Sequence, residues 1–172
     1  MLKKIISRIL EGKNIIEIAA ELNIPLEEIK NKIGKLVPDD SEIYTVFIDG
    51  ASKSNPGPAS AGIYISGQGK EYKFGKDLGV MTNNEAEYSA FLIAMARLKK
   101  LGAAKVKVYS DSKLLVNQLT GNFKVKQPHL RKLFLKAIKY IPEFEYFSIE
   151  HIERKYNKIA DALANDYIKL DN

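Results

Sequence analysis

The hydrophobic period of this chain changes once, near residues 38–42, and that change fixes what it can fold into. Upstream, apolar residues recur in short blocks at helical spacing. They read as three short helices, Leu2–Leu10, Ile15–Leu22 and Leu26–Val37, with breaks at Gly12–Asn14 and Asn23–Pro25. Pro38, Asp39, Asp40 and Ser41 interrupt the pattern and mark a linker over 38–42. Downstream the spacing predicts strands at 43–50, 59–66, 70–77, 104–110 and 144–152, and helices at 83–101, 112–119, 128–140 and 157–169. The short connections among the first three strands imply an antiparallel meander, and the later helical crossovers imply parallel additions to it. The expected architecture is α/β: a small all-α domain over 1–37, then a five-stranded mixed sheet flanked by helices over 43–172.

A chain of 172 residues at 45% hydrophobic can bury a sizeable core in one main domain with an appendage. It has no cysteine, so a disulfide framework is excluded. The start, MLKKIISRIL, is basic then apolar, but Arg8 and Glu11 interrupt it before a signal-peptide core forms, and no apolar run is long enough to span a bilayer. The expectation is a soluble, cytoplasmic protein with no membrane partner. Residues 1–42 hold seven Lys or Arg against eight Asp or Glu, so the formal charge of +6 leaves +7 on residues 43–172. A basic surface suits a polyanion such as nucleic acid. Lys124, Lys126, Arg131, Lys132, Lys136 and Lys139 form the densest run, and a solvated lysine face is the plainer reading for part of it.

Four carboxylates stand out against that basic background. Asp49 ends the alternating segment Tyr44 to Ile48, and Asp111 closes a second one in which Val106 and Val108 alternate with Lys105, Lys107 and Tyr109. Thr82 and Glu85 are spaced as a capping box, which leaves Glu87 as the unexplained acid of that turn. Steps of four and three from Glu87 reach Phe91, Ala94, Leu98 and Leu101, so Glu87 shares the register of a buried stripe. Asp161 lies among Ala160, Ala162 and Ala164, where small side chains let a helix approach a sheet. Singly, each has an ordinary explanation as a turn, cap or solvated residue. Together, four inward acids repel one another, and divalent cations are the economical way to keep them ionised. An all-oxygen ligand set without cysteine favours Mg²⁺ or Mn²⁺ over zinc.

The contexts TVFIDG, TNNEAEY, VYSDS and NKIADALA together resemble the active-site signature of type 1 ribonuclease H, and the element order matches that fold over residues 43–169. The resemblance implies hydrolysis of the RNA strand of RNA/DNA hybrids, leaving a 5′ phosphate and a 3′ hydroxyl. Asp49, Glu87, Asp111 and Asp161 would be the catalytic acids and the ligands of two ions about 4 Å apart. It also implies substrate contacts from Asn55 in the loop DGASKSNPGPAS, and from Thr82, Asn83 and Asn84, where amides at a helix start suit phosphate or ribose hydroxyls. Lys113 stands where better-known bacterial members often carry glutamine. The stretch from Asp111 to Pro128 is too short for the basic protrusion of some members, so the chain resembles the compact variant. His151 falls within a predicted strand, and Arg154 occupies the short loop where compact members carry an arginine. The resemblance leaves open whether double-stranded RNA is also a substrate.

Upstream, IIEIAAELNIPLEEIKNKI resembles a helix-turn-helix unit over about twenty residues: paired alanines permit close packing, Asn23 suits a left-handed turn, and Pro25 precedes the second helix. Glu27 and Glu28 open the would-be recognition helix and repel phosphates, so both a nucleic-acid and a protein partner stay open. The competing function is a non-catalytic, nucleic-acid-binding regulator on the same scaffold, against which the intact acid quartet argues. The sequence carries no signal for the oligomeric state.

Overall fold

The computed structural model describes residues 1–34 and 42–169. The chain divides into two compact units, Met1–Asp40 and Ser41–Asn172. The last three residues of the expected third helix and almost all of the expected linker lie outside the described residues.

The first unit holds α1 (Leu2–Leu10), α2 (Ile15–Leu22) and α3 (Leu26–Gly34). Each contributes one fully buried isoleucine, Ile5, Ile18 and Ile29, to a small core. Asn14 caps α2 through a capping box with Glu17, and Asn23 ends that helix in the left-handed conformation, φ 51°. Arg8 of α1 pairs with Glu21 of α2 at 2.6 Å.

The second unit is built on β1 (Ile43–Ser52), β2 (Gly57–Gly67), β3 (Lys70–Met81), β4 (Lys105–Ser110) and β5 (Tyr146–His151), in the order β3-β2-β1-β4-β5. The first three strands form the antiparallel meander, and β4 and β5 add in parallel. Helices α4 (Asn83–Lys100), α5 (Lys113–Leu119), α6 (Pro128–Tyr140) and α7 (Lys158–Lys169) flank the sheet. This is the expected mixed sheet. The main difference is β3, which runs four residues beyond the expected end to Met81. A register shift at Ala59/Ser60 and a left-handed Gly79 let it stay paired with β2 where its own sequence, Leu78 to Met81, no longer alternates.

One face of the sheet carries Val46, Ile48, Ile63, Ile65, Val106 and Val108 into a core shared with Tyr88, Phe91, Met95 and Leu98 of α4, and all of these are fully buried. The opposite face is crossed by α7. Gly62 makes that crossing close, because a Cβ there would stand 1.9 Å from the Ala160 carbonyl oxygen and 2.6 Å from the Ala164 nitrogen. Ser60 donates to the Ala164 carbonyl on the same line of contact. The ladder between β1 and β4 stops at the pair Ile48 and Ser110, while β1 continues beside β2 to Ser52. A crevice therefore opens beyond the carboxyl ends of two parallel strands, where the sheet changes from antiparallel to parallel. Asp49 and Asp111 are the next residues of those two strands.

Candidate active site

Three of the four acids meet in that crevice. Asp49, Glu87 and Asp111 each offer a carboxylate oxygen, and the three atoms lie within 4.8 Å of one another. Asp49 and Glu87 are buried, at 5% and 6% exposure. Glu87 reaches the site because α4 presses on β1 at Gly50, whose backbone N–H donates to Glu87 Oε2 at 3.1 Å. A Cβ on Gly50 would stand 2.2 Å from both the Ala86 carbonyl carbon and the Glu87 nitrogen, so only glycine permits this approach. A cleft of about 480 Å³ holds the three acids together with Ser112, Asn83, Arg154 and Asn165.

Asp161 is placed at the rim rather than in the group of three. Its carboxylate is held by the guanidinium of Arg154, whose side chain is 70% exposed against 26% for Asp161. Among the described residues Asp49, Glu87 and Asp111 form the group within 4.8 Å, and Asp161 stands outside it, paired with Arg154.

Burial dominates the electrostatics. It raises the Asp49 carboxyl to about 7, with repulsion from Asp111 and Asp161 adding to the effect and Arg154 opposing it. Burial also raises Glu87 well above the ordinary carboxylate range, reinforced by Asp49 and Asp111 and opposed by the Gly50 N–H and Arg154. Two desolvated acids packed against a third need positive charge to stay ionised at neutral pH, and the donor set is oxygen only. Asp49, Glu87 and Asp111 thus fit a hard divalent cation such as Mg²⁺ or Mn²⁺.

Asn157 is the site residue that sequence reasoning missed. It is 1% exposed, and its Nδ2 donates to the Ile48 carbonyl at 2.8 Å and to Asp111 Oδ1 at 3.1 Å. Among the described residues its own Oδ1 has no hydrogen-bond partner. The residue ties β1 to the Asp111 carboxylate across the end of the β1/β4 ladder. In the sequence it is only the first residue of the expected helix 157–169, and its carbonyl accepts from the Asp161 N–H at 3.0 Å.

The residues expected to touch substrate have different surroundings. Asn83 and Arg154 line the cleft. The backbone N–H of Asn83 donates to Asn55 Oδ1 at 3.0 Å. Thr82 is engaged in the capping box, accepting from the Glu85 N–H and donating to Glu85 Oε2 at 2.7 Å. Asn84 is half-buried in the first turn of α4, Lys113 is exposed at the start of α5, and His151 ends β5. Residues 120–127 join α5 to α6 with no helix between them, which leaves no room for a basic protrusion.

The family model described as reverse transcriptase-like matches residues 47–167, a span that holds all four acids. Over 131 residues the chain is 38% identical to ribonuclease HI of Halobacterium salinarum, covering 75% of this chain and 66% of that protein. The chain belongs to the type 1 ribonuclease H family. Another relative of this ribonuclease H chain is a bifunctional protein of Mycobacterium tuberculosis, 39% identical over 121 residues, or 69% of this chain and 33% of that one. The chain thus spans about two thirds of the first relative and a third of the second. A solved ribonuclease H1 in complex with an RNA/DNA hybrid is similar at a TM-score of 0.70 and 34% identity, covering 74% of this chain and 97% of that one. The ribonuclease H fold accounts for the sheet order and for the crevice between β1 and β4. Among the described residues no helix is long and apolar enough to cross a membrane.

Proposed function

We propose that this ribonuclease H domain hydrolyses the RNA strand of RNA/DNA hybrids. The observation that carries the reading is the group of three carboxylates within 4.8 Å, two of them buried, at the open end of β1 and β4. The solved relative bound to a hybrid supports the choice of substrate.

In this reading Asp49, Glu87, Asp111 and Asp161 would hold two divalent ions. When bound, such ions activate water and stabilise the leaving ribose oxygen. The protein's own part is positional. Gly50 fixes Glu87 through its backbone N–H, Asn157 holds Asp111, and Arg154, which compensates the acids, is assigned to meet a phosphate. Selectivity for RNA is assigned to ribose 2′ hydroxyls meeting Asn83 and Asn84 near Glu87, with Asn55 and Lys113 on the substrate backbone. Residues 1–37 are assigned to an accessory unit that meets nucleic acid or a protein, and residues 43–172 to catalysis.

The test is cleavage of matched RNA/DNA hybrid, double-stranded RNA and double-stranded DNA with Mg²⁺ or Mn²⁺, beside Asp111→Asn to exclude contamination. The expected result is 5′-phosphorylated fragments from the RNA strand of the hybrid, lost in the variant. Wild-type cleavage by folded Asp111→Asn, or none by the parent with either metal, overturns the assignment.

A further inference from the structure

Beside the catalytic cleft lies another, differently built cavity. It has a volume of about 300 Å³ and is lined by Phe47, Tyr64, Lys155, Tyr156, Asn157, Lys158 and Ile159. Its floor is aromatic. Phe47 is the Cα partner of both Tyr64 on β2 and Tyr109 on β4, and its ring lies 6.0 Å from the first and stacks on the second at 5.1 Å. Its wall is the turn Arg154–Tyr156 and the start of α7, where Tyr156 and Ile159 are 64% and 43% exposed.

The turn Arg154–Tyr156 separates the two cavities: Arg154 lines the cleft with the acids, and Lys155 and Tyr156 line the neighbouring pocket. Asn157 lines this pocket while its amide holds Asp111. Phe47 lies two residues before Asp49 on the same face of β1. Nucleic acid lying in the cleft is therefore one short turn of chain away from an aromatic platform.

The rings are accompanied by ammonium groups. Lys73 stands 5.8 Å from the centre of the Tyr64 ring, Lys155 stands 4.9 Å from that of Tyr156, and Lys158 adds a further charge at the rim. Acids are also present: Glu71 accepts from the Tyr64 hydroxyl, Glu153 pairs with Lys155 at 2.8 Å, and Glu150 is the Cα partner of Tyr109. An apolar protein partner would have to desolvate those lysines. A flexible strand that alternates flat bases with phosphates meets rings and lysines in the order in which they occur.

Resting on the ribonuclease H reading, we propose that this pocket binds an unpaired nucleotide of a single strand that extends from the hybrid beyond the catalytic cleft. One base stacks against the ring of Tyr156 or Phe47, and the adjoining phosphates pair with Lys155 and Lys158. The domain then prefers hybrids that end in, or adjoin, single-stranded nucleic acid.

The test measures fluorescence anisotropy on the full chain carrying Asp111→Asn. The probes are a blunt hybrid of about twelve base pairs, the same hybrid with a single-stranded extension of about eight nucleotides on either strand, and the extension alone. At least one extension is expected to tighten binding by about fivefold or more, and Tyr156→Ala with Ile159→Ser to erase that gain without changing affinity for the blunt hybrid. Both side chains are exposed, so the fold tolerates the change, and Lys158→Glu is a second, charge-reversing variant that reduces the same gain. An extension that adds nothing, or a gain that survives these variants, overturns the proposal, as does concentration-dependent dimerisation that hides the pocket from every oligonucleotide. Failure of the ribonuclease H reading is distinct: the blunt hybrid is then neither bound nor cut by the parent, while the single strand alone still reports on the pocket.

Discussion

Arg154 holds the carboxylate of Asp161, seven residues along the chain, outside the group formed by Asp49, Glu87 and Asp111. The guanidinium is largely exposed, but it also acts on Asp49 and Glu87, whose carboxyl groups it favours in the ionised form. It is the cation that stands at this cleft among the residues lining it.

Arg154→Ala is expected to slow turnover of hybrid by about tenfold or more while KM changes by a small factor, because the residue faces charge that develops during the reaction. Stability should move by less than about 1 kcal/mol, as befits an exposed pair. Steady-state kinetics with a urea melt separates the two. Unchanged turnover would remove Arg154 from the mechanism.

Asn157→Ala leaves the Ile48 carbonyl without its buried donor and frees Asp111. A loss of about 2 kcal/mol is expected in urea unfolding. Mn²⁺ affinity should weaken by about tenfold, since a group that orients a ligand acts on the metal through it. Wild-type Mn²⁺ affinity in a destabilised variant would reduce Asn157 to a purely structural role.

The pH dependence of the metal-free protein follows from two raised acids. The folded-state pKa of Asp49 is about 7, above the ordinary carboxylate value, and Glu87 is raised as well. Between roughly pH 4 and 7 the native state therefore binds more protons than the unfolded one, and stability falls as pH rises through that window, by on the order of a few kcal/mol. Thermal melts in chelator should show the decline, Mg²⁺ should reverse it at neutral pH, and Asp49→Asn should flatten it. A melting temperature that rises over the same window would contradict the burial argument.

Gly50→Ala tests how closely α4 must approach β1. The added Cβ meets backbone atoms of Ala86 and Glu87 at 2.2 Å, and backbone cannot turn aside as a side-chain tip does. A cost of about 3 kcal/mol or more is expected, together with loss of hybrid cleavage as Glu87 is carried away from Asp49. Near-native stability with near-native cleavage would mean that α4 can shift without disturbing the site.

Much of this arrangement was legible along the chain. Alternation in Tyr44 to Ile48 and in Lys105 to Tyr109 located the two strands that end in Asp49 and Asp111, because a strand half-buried in a sheet must alternate. The capping box at Thr82 and Glu85 set the start of α4, and helical stepping then placed Glu87 on its buried side. Each of these signals is local, written within one turn or one strand. The end of β3 was not legible, because Leu78 to Met81 is held in the sheet by pairing with β2 and not by its own pattern.

Tertiary structure alone decided the rest. That Asn157 reaches the Ile48 carbonyl, 109 residues away in the chain, and Asp111 as well depends on where α7 begins relative to the end of the β1/β4 ladder. That Asp161 is tied to Arg154 and Asn55 to the Asn83 amide depends on which neighbours the fold brings within hydrogen-bond range. The sequence by itself determined which side chains are available, which strand and helix ends carry them, and which face each one takes, since those follow from backbone periodicity. It could not determine their partners or their charge states, since both depend on distances and desolvation that arise only when separate elements pack around one crevice.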